Sequence, residues 1–589
     1  MLGKIVAISE DVIEVKLNVD LNKVQNLINL YVIIEDELKQ VVGEISNIKN
    51  DIAYVNILGQ LINNRFVFGI VTKPSFKASI KIISNDKVPY IIGIEHYLEN
   101  KHLYLGVSPI YTGVNIGIKI DDFFAHHFAI FGSTGTGKSC GAARILQNLF
   151  EKQEYIAYRC NMFLFDAYGE YTTAFQNINT KCPDINFKLY TTNLKAPADQ
   201  LLKIPIWLLT VDDLALLLNA EKVSQLPVIE KALKLVSVFV KEGINENRHK
   251  NDIIARTILD ILSSGKPPAQ MRDQVFSILT YYNTKELNLD AEIFQPGYVR
   301  PVKQCLVIDN TGKIREMELL MTFFTSFLDE NLELSMPDGS FKYTLKDLKD
   351  AFDFALISEG IFKSDRVYDE YNSLKVRLDS LVNGDYSVYF DCDQYVNMEQ
   401  YIKSLLTTKN KRKAQLVNFN INYVDDRFAK SITKIYSRIL FEYAKGLDKR
   451  ASFPIHIILE EAHRYVQNDN DINLIGYNIF DRITKEGRKY AVVMGFISQR
   501  PSELSETCLS QCGNFLIYKM IHPKDLVFIE DVLPNITKEL TKKLKVLPPG
   551  TCVAFGSAFK IPSLIKMAMP SPAPSSSSAL ISDMWFIEK

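Results

Sequence analysis

The stretch Phe131–Ala142, FGSTGTGKSCGA, governs how the rest of the chain is read. It fits the pattern G-x-x-x-x-G-K-S/T through Gly132, Ser133, Thr134, Gly135, Thr136, Gly137, Lys138 and Ser139, with Cys140 next. Glycines let the backbone wrap until its N–H groups face inward, and a helix starting there adds positive potential at its amino end. Such a loop holds nucleotide phosphate. Lys138 brings a full charge to the β and γ phosphates, and the Ser139 hydroxyl suits one position on Mg²⁺. The apolar run HHFAIF before the loop reads as a buried strand, and SCGAARILQNLFEK after it has helical spacing. Residues Gly132 to Cys140 are therefore the candidate cofactor-binding segment. Switches, kinases, transporters and motors share this loop, so the use made of the nucleotide must be read elsewhere.

The second half of a site lies at Pro454–His463, PIHIILEEAH, an apolar strand ending in two carboxylates. Successive side chains diverge at a strand end, so the two acids have separate roles. Glu460 stands where such an enzyme holds the metal's water shell, and Glu461 where a general base polarises water. The alternative is a strand running out into a charged turn. An acid at Glu461 favours water as nucleophile, hence hydrolysis over transfer to another acceptor. Two further strand ends converge on the same edge, as ligands of open α/β sheets require. FLFDAYGEY brings Asp166, Gly169 and Glu170, and FISQRP brings Ser498, Gln499 and Arg500. Gln499 suits a γ-phosphate sensor. Arg488, in KEGRKYA, lies too far round the fold for its own site but in a ring reaches a neighbour's nucleotide; Lys489 is the second choice. The candidate catalytic set is Lys138, Glu461, Gln499 and Arg488, and the candidate metal set is Ser139, Glu460 and Asp166.

Around these motifs the 589 residues divide by pattern. Residues 1–115 carry short strand-like runs punctuated by Gly, Asn and Asp, which predict a small β-barrel. Strands alternating with helices over 116–200 and 400–569 predict a parallel sheet covered on both faces. Residues 201–399 read as a mainly helical insertion. Residues 570–589 read as a flexible Pro/Ser tail with an apolar end, ALISDMWFIEK. Hydrophobic residues are 47% and charged residues 23%, a soluble globular balance. No run is long enough to span a membrane, and the start of the chain alternates like a strand rather than a signal peptide. Eight scattered cysteines form no zinc pattern and read as reduced cytoplasmic thiols. The net charge of −1 carries no overall nucleic-acid signal. The most basic segment, Lys409–Lys413 (KNKRK), is either a phosphate contact or a solvated loop, on the sheet edge away from the nucleotide. A guanine-reading N-K-x-D motif is absent.

HHFAIFGSTGTGKS, FDAYGEY, IILEEAH, KEGRKYAVVMGFISQRPSEL and LSQCGNFLIYKM, in this order, resemble the HerA family of hexameric ATP-driven DNA translocases, relatives of FtsK. The resemblance runs from residue 1 to about 570. It implies an α/β fold: a RecA-like P-loop ATPase core with a helical insertion, plus an amino-terminal small β-barrel domain. It implies ATP at Gly132–Ser139, Glu461 as base, Gln499 as sensor and Arg488 acting in trans. The chain departs from the family at Ala167-Tyr168, where a proline-histidine pair is common. Family members work as homohexamers on double-stranded DNA, often with a nuclease or a sirtuin-like NAD-cleaving effector docked on the barrel. Bacterial ones often serve anti-phage defence. Two readings stand open: a DNA-translocating motor, and a nucleotide-regulated ring scaffold that assembles an effector without travelling.

Overall fold

The computed structural model describes residues 2–18, 27–36, 39–62, 65–92, 101–152, 155–241, 243–329, 336–337, 339–358, 365–533, 538–575 and 581–586. The chain divides into two units, Met1–Leu201 with Lys403–Asp469 and Asn478–Lys589, and Leu202–Ile402 with Asn470–Tyr477.

The first unit opens with β1 (Gly3–Ile8), β2 (Val12–Leu17), β3 (Tyr31–Asp36), β4 (Lys39–Lys49), β5 (Ile52–Ile62), β6 (Arg65–Phe68) and β7 (Ser79–Ile82). They form one antiparallel sheet in the order β1-β2-β5-β4-β3-β7, with β6 on β5. Alternate residues such as Ile13, Val15, Val41, Ala53 and Val55 are buried, the period-2 pattern that marks a one-sided core. The sheet curls until the Leu2 N–H reaches the Ile80 carbonyl at 2.7 Å. That single bond is not a ladder, so among the described residues the expected barrel is a curled sheet, not a closed cylinder.

The second sheet of this unit holds β8 (His102–Val107), β9 (Asn115–Lys119), β10 (His127–Phe131), β11 (Met162–Asp166) and β12 (Phe187–Thr191). After a small hairpin in the other unit, β13 (Glu292–Gln295) with β14 (Tyr298–Pro301), it resumes with β15 (Leu416–Asn420), β16 (Ile455–Leu459), β17 (Val492–Ser498), β18 (Cys512–Tyr518), β19 (Thr551–Gly556) and β20 (Ser563–Met567). Its order is β12-β15-β11-β16-β17-β10-β18-β19-β20-β8-β9. From β12 to β18 every neighbouring pair is parallel; the rest are antiparallel. Strands β10, β11 and β16 are buried along their whole length, which explains their unbroken apolar runs. Because these strands are parallel, the residues following β10, β11, β16 and β17 gather at one edge. The hairpin β8–β9 belongs to this sheet although its sequence lies before residue 120. Its short alternating runs look like those of the first sheet, and only pairing with β20 separates them.

The second unit is helical apart from β13–β14. Helices Leu226–Val240 and Leu345–Ser358 pack through Phe239 and Phe354, whose rings meet edge to face at 5.5 Å. The Tyr477 hydroxyl bonds Asp212, tying the short return segment to this unit.

Residues read as a free tail are in part bonded to the first unit. Gln147 accepts from the Ser571 N–H at 2.9 Å and donates to the Pro572 carbonyl at 2.8 Å, while the Ser575 N–H bonds the Glu170 carbonyl at 2.9 Å. Residues 576–580 and 587–589 of that tail lie outside the described residues, as do 330–333 at the end of the run 314–333 (IREMELLMTFFTSFLDENLE), whose sequence predicts a helix and which is helical at Met317–Thr325. The cysteines are free. Among the described residues no helix is long and apolar enough to cross a membrane.

Candidate active site

Strand β10 ends at Phe131, and the chain turns through Gly132–Gly137 into the helix Lys138–Phe150. Gly137 caps that helix at φ 104°, a left-handed conformation that glycine adopts without the steric penalty other residues meet. The loop is moored to both flanking strands. Gly132 N–H bonds the Ser498 carbonyl at 3.3 Å, and Ser133 N–H bonds the Lys519 carbonyl at 2.9 Å. Thr136 Oγ1 donates to the Ser133 carbonyl at 2.7 Å, closing the turn. Lys138 Nζ rests on the same carbonyl at 3.1 Å. Burial pulls its ammonium below the usual lysine range, while Glu461, Glu460 and Glu170 oppose that shift by their charge. One lysine thus faces three carboxylates from two other strand ends.

Glu460 continues β16, its N–H bonding the Phe165 carbonyl at 3.0 Å. Its carboxyl is 2% exposed and Oε2 accepts no hydrogen bond. Burial, then repulsion from Glu461, Asp166 and Glu170, pushes it far above the usual carboxylate range. Glu461 takes the left-handed conformation at φ 49° and ψ 47°, rare for a residue with a β-carbon. Such strain, of order 1–3 kcal/mol, collects at functional sites. Here it breaks the strand's alternation, and both carboxylates act on Lys138. Burial raises Glu461, with Lys138 and the Gln499 N–H countering. Oε2 of Glu461 also accepts no hydrogen bond, and His463 Nδ1 stands 3.2 Å from it while meeting Ser498 Oγ at 3.1 Å.

Gln499 joins the two halves. Its side-chain carbonyl accepts from Thr134 Oγ1 at 2.6 Å, and its backbone N–H lies near enough to Glu461 to hold that carboxyl down against burial. Ser139 lies beside the Glu170 carboxylate and counters part of the rise that burial gives it. Cys140, half-buried beside them, is held as a thiol by burial and the Glu170 charge. Asp166 stands differently. Oδ1 accepts the Glu170 N–H at 3.0 Å; Oδ2 accepts the Tyr171 N–H at 2.9 Å and Asn418 Nδ2 at 3.1 Å. Those bonds shape the turn after β11 and leave Glu170 as the acid that faces Ser139. The sequence places Asp166 after the second strand, in the candidate metal set; in the structure both its oxygens are taken up by the turn. Glu170 and His463 stood in quoted motifs and Asn418 lies in β15, but their contacts depend on strand neighbours far apart in the chain.

Arg488 is not at this edge. It lies in the turn Gly487–Tyr490 before β17, level with the start of β10, where Nη2 meets His126 Nε2 at 3.1 Å. The five residues of β10 separate it from the phosphate loop, about 17 Å at about 3.3 Å per residue. The basic loop Lys409–Lys413 is also remote and is occupied internally. Lys409 pairs with Asp199 at 2.7 Å, Arg412 bonds the Pro183 carbonyl, and Lys413 bonds the carbonyls of Tyr158 and Cys160.

The two buried carboxylates with orphaned oxygens lie against a phosphate-loop lysine. A water-shelled cation and a nucleotide phosphate would satisfy both ends of that arrangement, so the donor set fits the pair. Fold and site together define a P-loop ATPase. Residues 103–287 match the family described as "Helicase HerA, central domain". The chain is 21% identical over 521 residues to the DNA double-strand break repair helicase HerA of Pyrococcus furiosus, covering 88% of this chain and 77% of that one. It is 30% identical over 183 residues to the protein of the same name from Saccharolobus solfataricus, a match covering 30% of this chain and 36% of that one. Among solved structures, VirB4 of Thermoanaerobacter pseudethanolicus aligns at TM-score 0.41 and 13% identity, covering 80% of this chain and 98% of that one. The plasmid coupling protein TrwB in complex with an ATP analogue aligns at TM-score 0.41 and 12% identity, covering 83% and 93%. The chain is thus similar to HerA helicases, over residues 103–287 in the family match and over most of its length in the Pyrococcus furiosus relative.

Proposed function

We propose that the chain is a ring motor that hydrolyses ATP at subunit interfaces and moves along double-stranded DNA. The observation carrying this reading is the position of Arg488 at the opposite edge of the sheet from its own phosphate loop. A site made of Lys138, Glu461 and Gln499 holds one cation, Lys138, and a second copy would supply a second one for charge developing on the γ-phosphate. A homohexamer gives each of six sites that partner.

On this reading Lys138 leaves the Ser133 carbonyl for the β and γ phosphates. Glu461, rotated off the strand, takes the proton of the attacking water. Gln499 exchanges Thr134 for the γ-phosphate, so the loop and the base report nucleotide to each other. Ser139 and Glu460, with Glu170 beside them and Asp166 bracing the turn, would hold Mg²⁺ directly or through water. Bound there, Mg²⁺ neutralises phosphate charge.

The curled amino-terminal sheet serves as the docking face for an effector, a nuclease or a sirtuin-like NAD-cleaving enzyme, in a cytoplasmic anti-phage complex. The second reading, a scaffold whose nucleotide cycle regulates an effector without travel, is favoured by the internal pairing of Lys409, Arg412 and Lys413. ATP turnover measured with and without long duplex DNA separates them. Strong stimulation by DNA supports the motor. Unstimulated turnover, with a large effect of ATP on effector activity, overturns the motor and supports the scaffold.

A further inference from the structure

Two adjacent histidines stand at the start of β10, His126 just before it and His127 its first residue, and they face different ways. His127 is fully buried, and His126 points to the surface beside Arg488. We propose that His126 is a positioning residue that aims the Arg488 guanidinium out of the turn Gly487–Tyr490, an inference that rests on the trans-arginine reading above.

The hydrogen bonds define the imidazole's state. His126 Nδ1 lies 3.1 Å from the Asp122 carbonyl, which only accepts, so Nδ1 carries the proton. Nε2 of the neutral ring then presents a lone pair. The atom opposite, Arg488 Nη2 at 3.1 Å, only donates. Both ring nitrogens are matched, and the ring joins the helix Ile120–Phe124 to the arginine turn. The ring is also seated from below. A β-carbon added at Gly513 would lie 3.0 Å from His126 Cβ and 3.1 Å from its ring carbons, so the bare backbone entering β18 is the shelf on which the imidazole lies.

The neighbouring histidine fixes the frame around the same turn. His127 Nε2 meets the Thr484 carbonyl at 3.0 Å, in the helix before the turn, and Nδ1 accepts the Met494 N–H at 2.9 Å, in the strand after it. The backbone on both sides of Arg488 is therefore pinned by His127, and the side chain itself is oriented by His126. A long exposed arginine otherwise samples many rotamers. Holding it on a matched acceptor sets the direction in which it leaves the subunit, which is what a neighbour's γ-phosphate requires.

The test is steady-state ATP hydrolysis by the full chain carrying His126→Ala, His126→Gln, Gly513→Ala, Arg488→Ala, and His126→Ala with Arg488→Ala. Oligomeric state and melting temperature are measured alongside. Gln sets an amide oxygen near the place of Nε2 and keeps an acceptor for Arg488. Expected results are a kcat loss of about tenfold to a hundredfold for His126→Ala with KM for ATP little changed, of the size a misplaced catalytic group produces. His126→Gln retains most of the rate, Gly513→Ala loses rate by displacing the ring, and the double variant is no slower than Arg488→Ala alone. Wild-type rates in His126→Ala, or an equal further loss when it is added to Arg488→Ala, overturn the positioning role while leaving the trans arginine intact. Wild-type rates in Arg488→Ala itself overturn the trans arginine, and the positioning role with it. If His126→Ala fails to fold, His126→Gln and Gly513→Ala decide: a rate loss in Gly513→Ala with retention in His126→Gln supports the role, and the reverse overturns it.

Discussion

Glu461 shows how one residue's backbone can specify its chemistry. In a regular strand it would alternate with Glu460 and face the opposite side of the sheet. Its left-handed conformation instead frees the carboxylate beside Lys138 and the Gln499 N–H. Glu461→Gln is expected to keep ATP binding and to lose turnover by two orders of magnitude or more, about 10² being the low end for a positioned general base. Equilibrium binding of a fluorescent ATP analogue and phosphate release measure the two separately. Gly141 is a second residue-scale case. A β-carbon there would lie 1.7 Å from the hydroxyl of Tyr518, which is fully buried and has no hydrogen-bond partner. Alanine normally favours a helix interior over glycine by about 1 kcal/mol. Here overpacking reverses the sign, and Gly141→Ala is expected to destabilise by about 1–3 kcal/mol in chemical denaturation. Tyr518→Phe removes the clashing oxygen without leaving a lost bond, so it restores most of that stability in the double variant.

At the scale of elements, the apolar strands and the helix after the loop were legible, because burial on both faces writes itself as unbroken apolar runs. The edge strand β12, Phe187–Thr191, was not, because its first three residues are only half-buried and its pattern resembles a loop. The side of the boundary on which β8 and β9 fall was also hidden, since pairing with β20 involves residues more than 400 positions away. His127 links the elements that carry Arg488, and its environment makes that joint sensitive to acid. Burial lowers its pKa to about 4, and its bond from Met494 requires an unprotonated Nδ1. An unfolded histidine titrates near 6.5, so between about pH 6.5 and pH 4 the unfolded chain binds the extra proton. Stability is therefore lost as pH falls through that window, by about 3 kcal/mol at the lower end. Urea denaturation at pH 7.5 and pH 4.5 measures this, and His127→Gln is expected to flatten the difference.

For the whole molecule, the question is whether one chain contains a complete site. Lys138 and Arg488 lie at opposite edges of the same sheet, so variants in each should complement when mixed. Arg488→Ala and Lys138→Ala chains are each expected to be nearly inactive alone. Their mixed rings contain some interfaces with an intact lysine facing an intact arginine, and turnover is expected to recover toward about a quarter of wild type at equal ratio, the statistical share of such interfaces, if each site works independently. Absence of recovery in rings verified as mixed would show that lysine and arginine act within one chain.

The sequence by itself determined the phosphate loop, the paired acids and the alternation of strands and helices. Each is a local pattern, dictated by the conformational freedom of glycine, by burial on both faces of a strand, or by the charge that phosphate and water require. Tertiary structure alone decided which acid lies beside Ser139, that among the described residues the first sheet curls without a closing ladder, that Lys409, Arg412 and Lys413 are paired internally, and that Arg488 rests against His126. Those outcomes depend on which strands become neighbours, and strand order is set by long-range packing that no stretch of adjacent residues encodes.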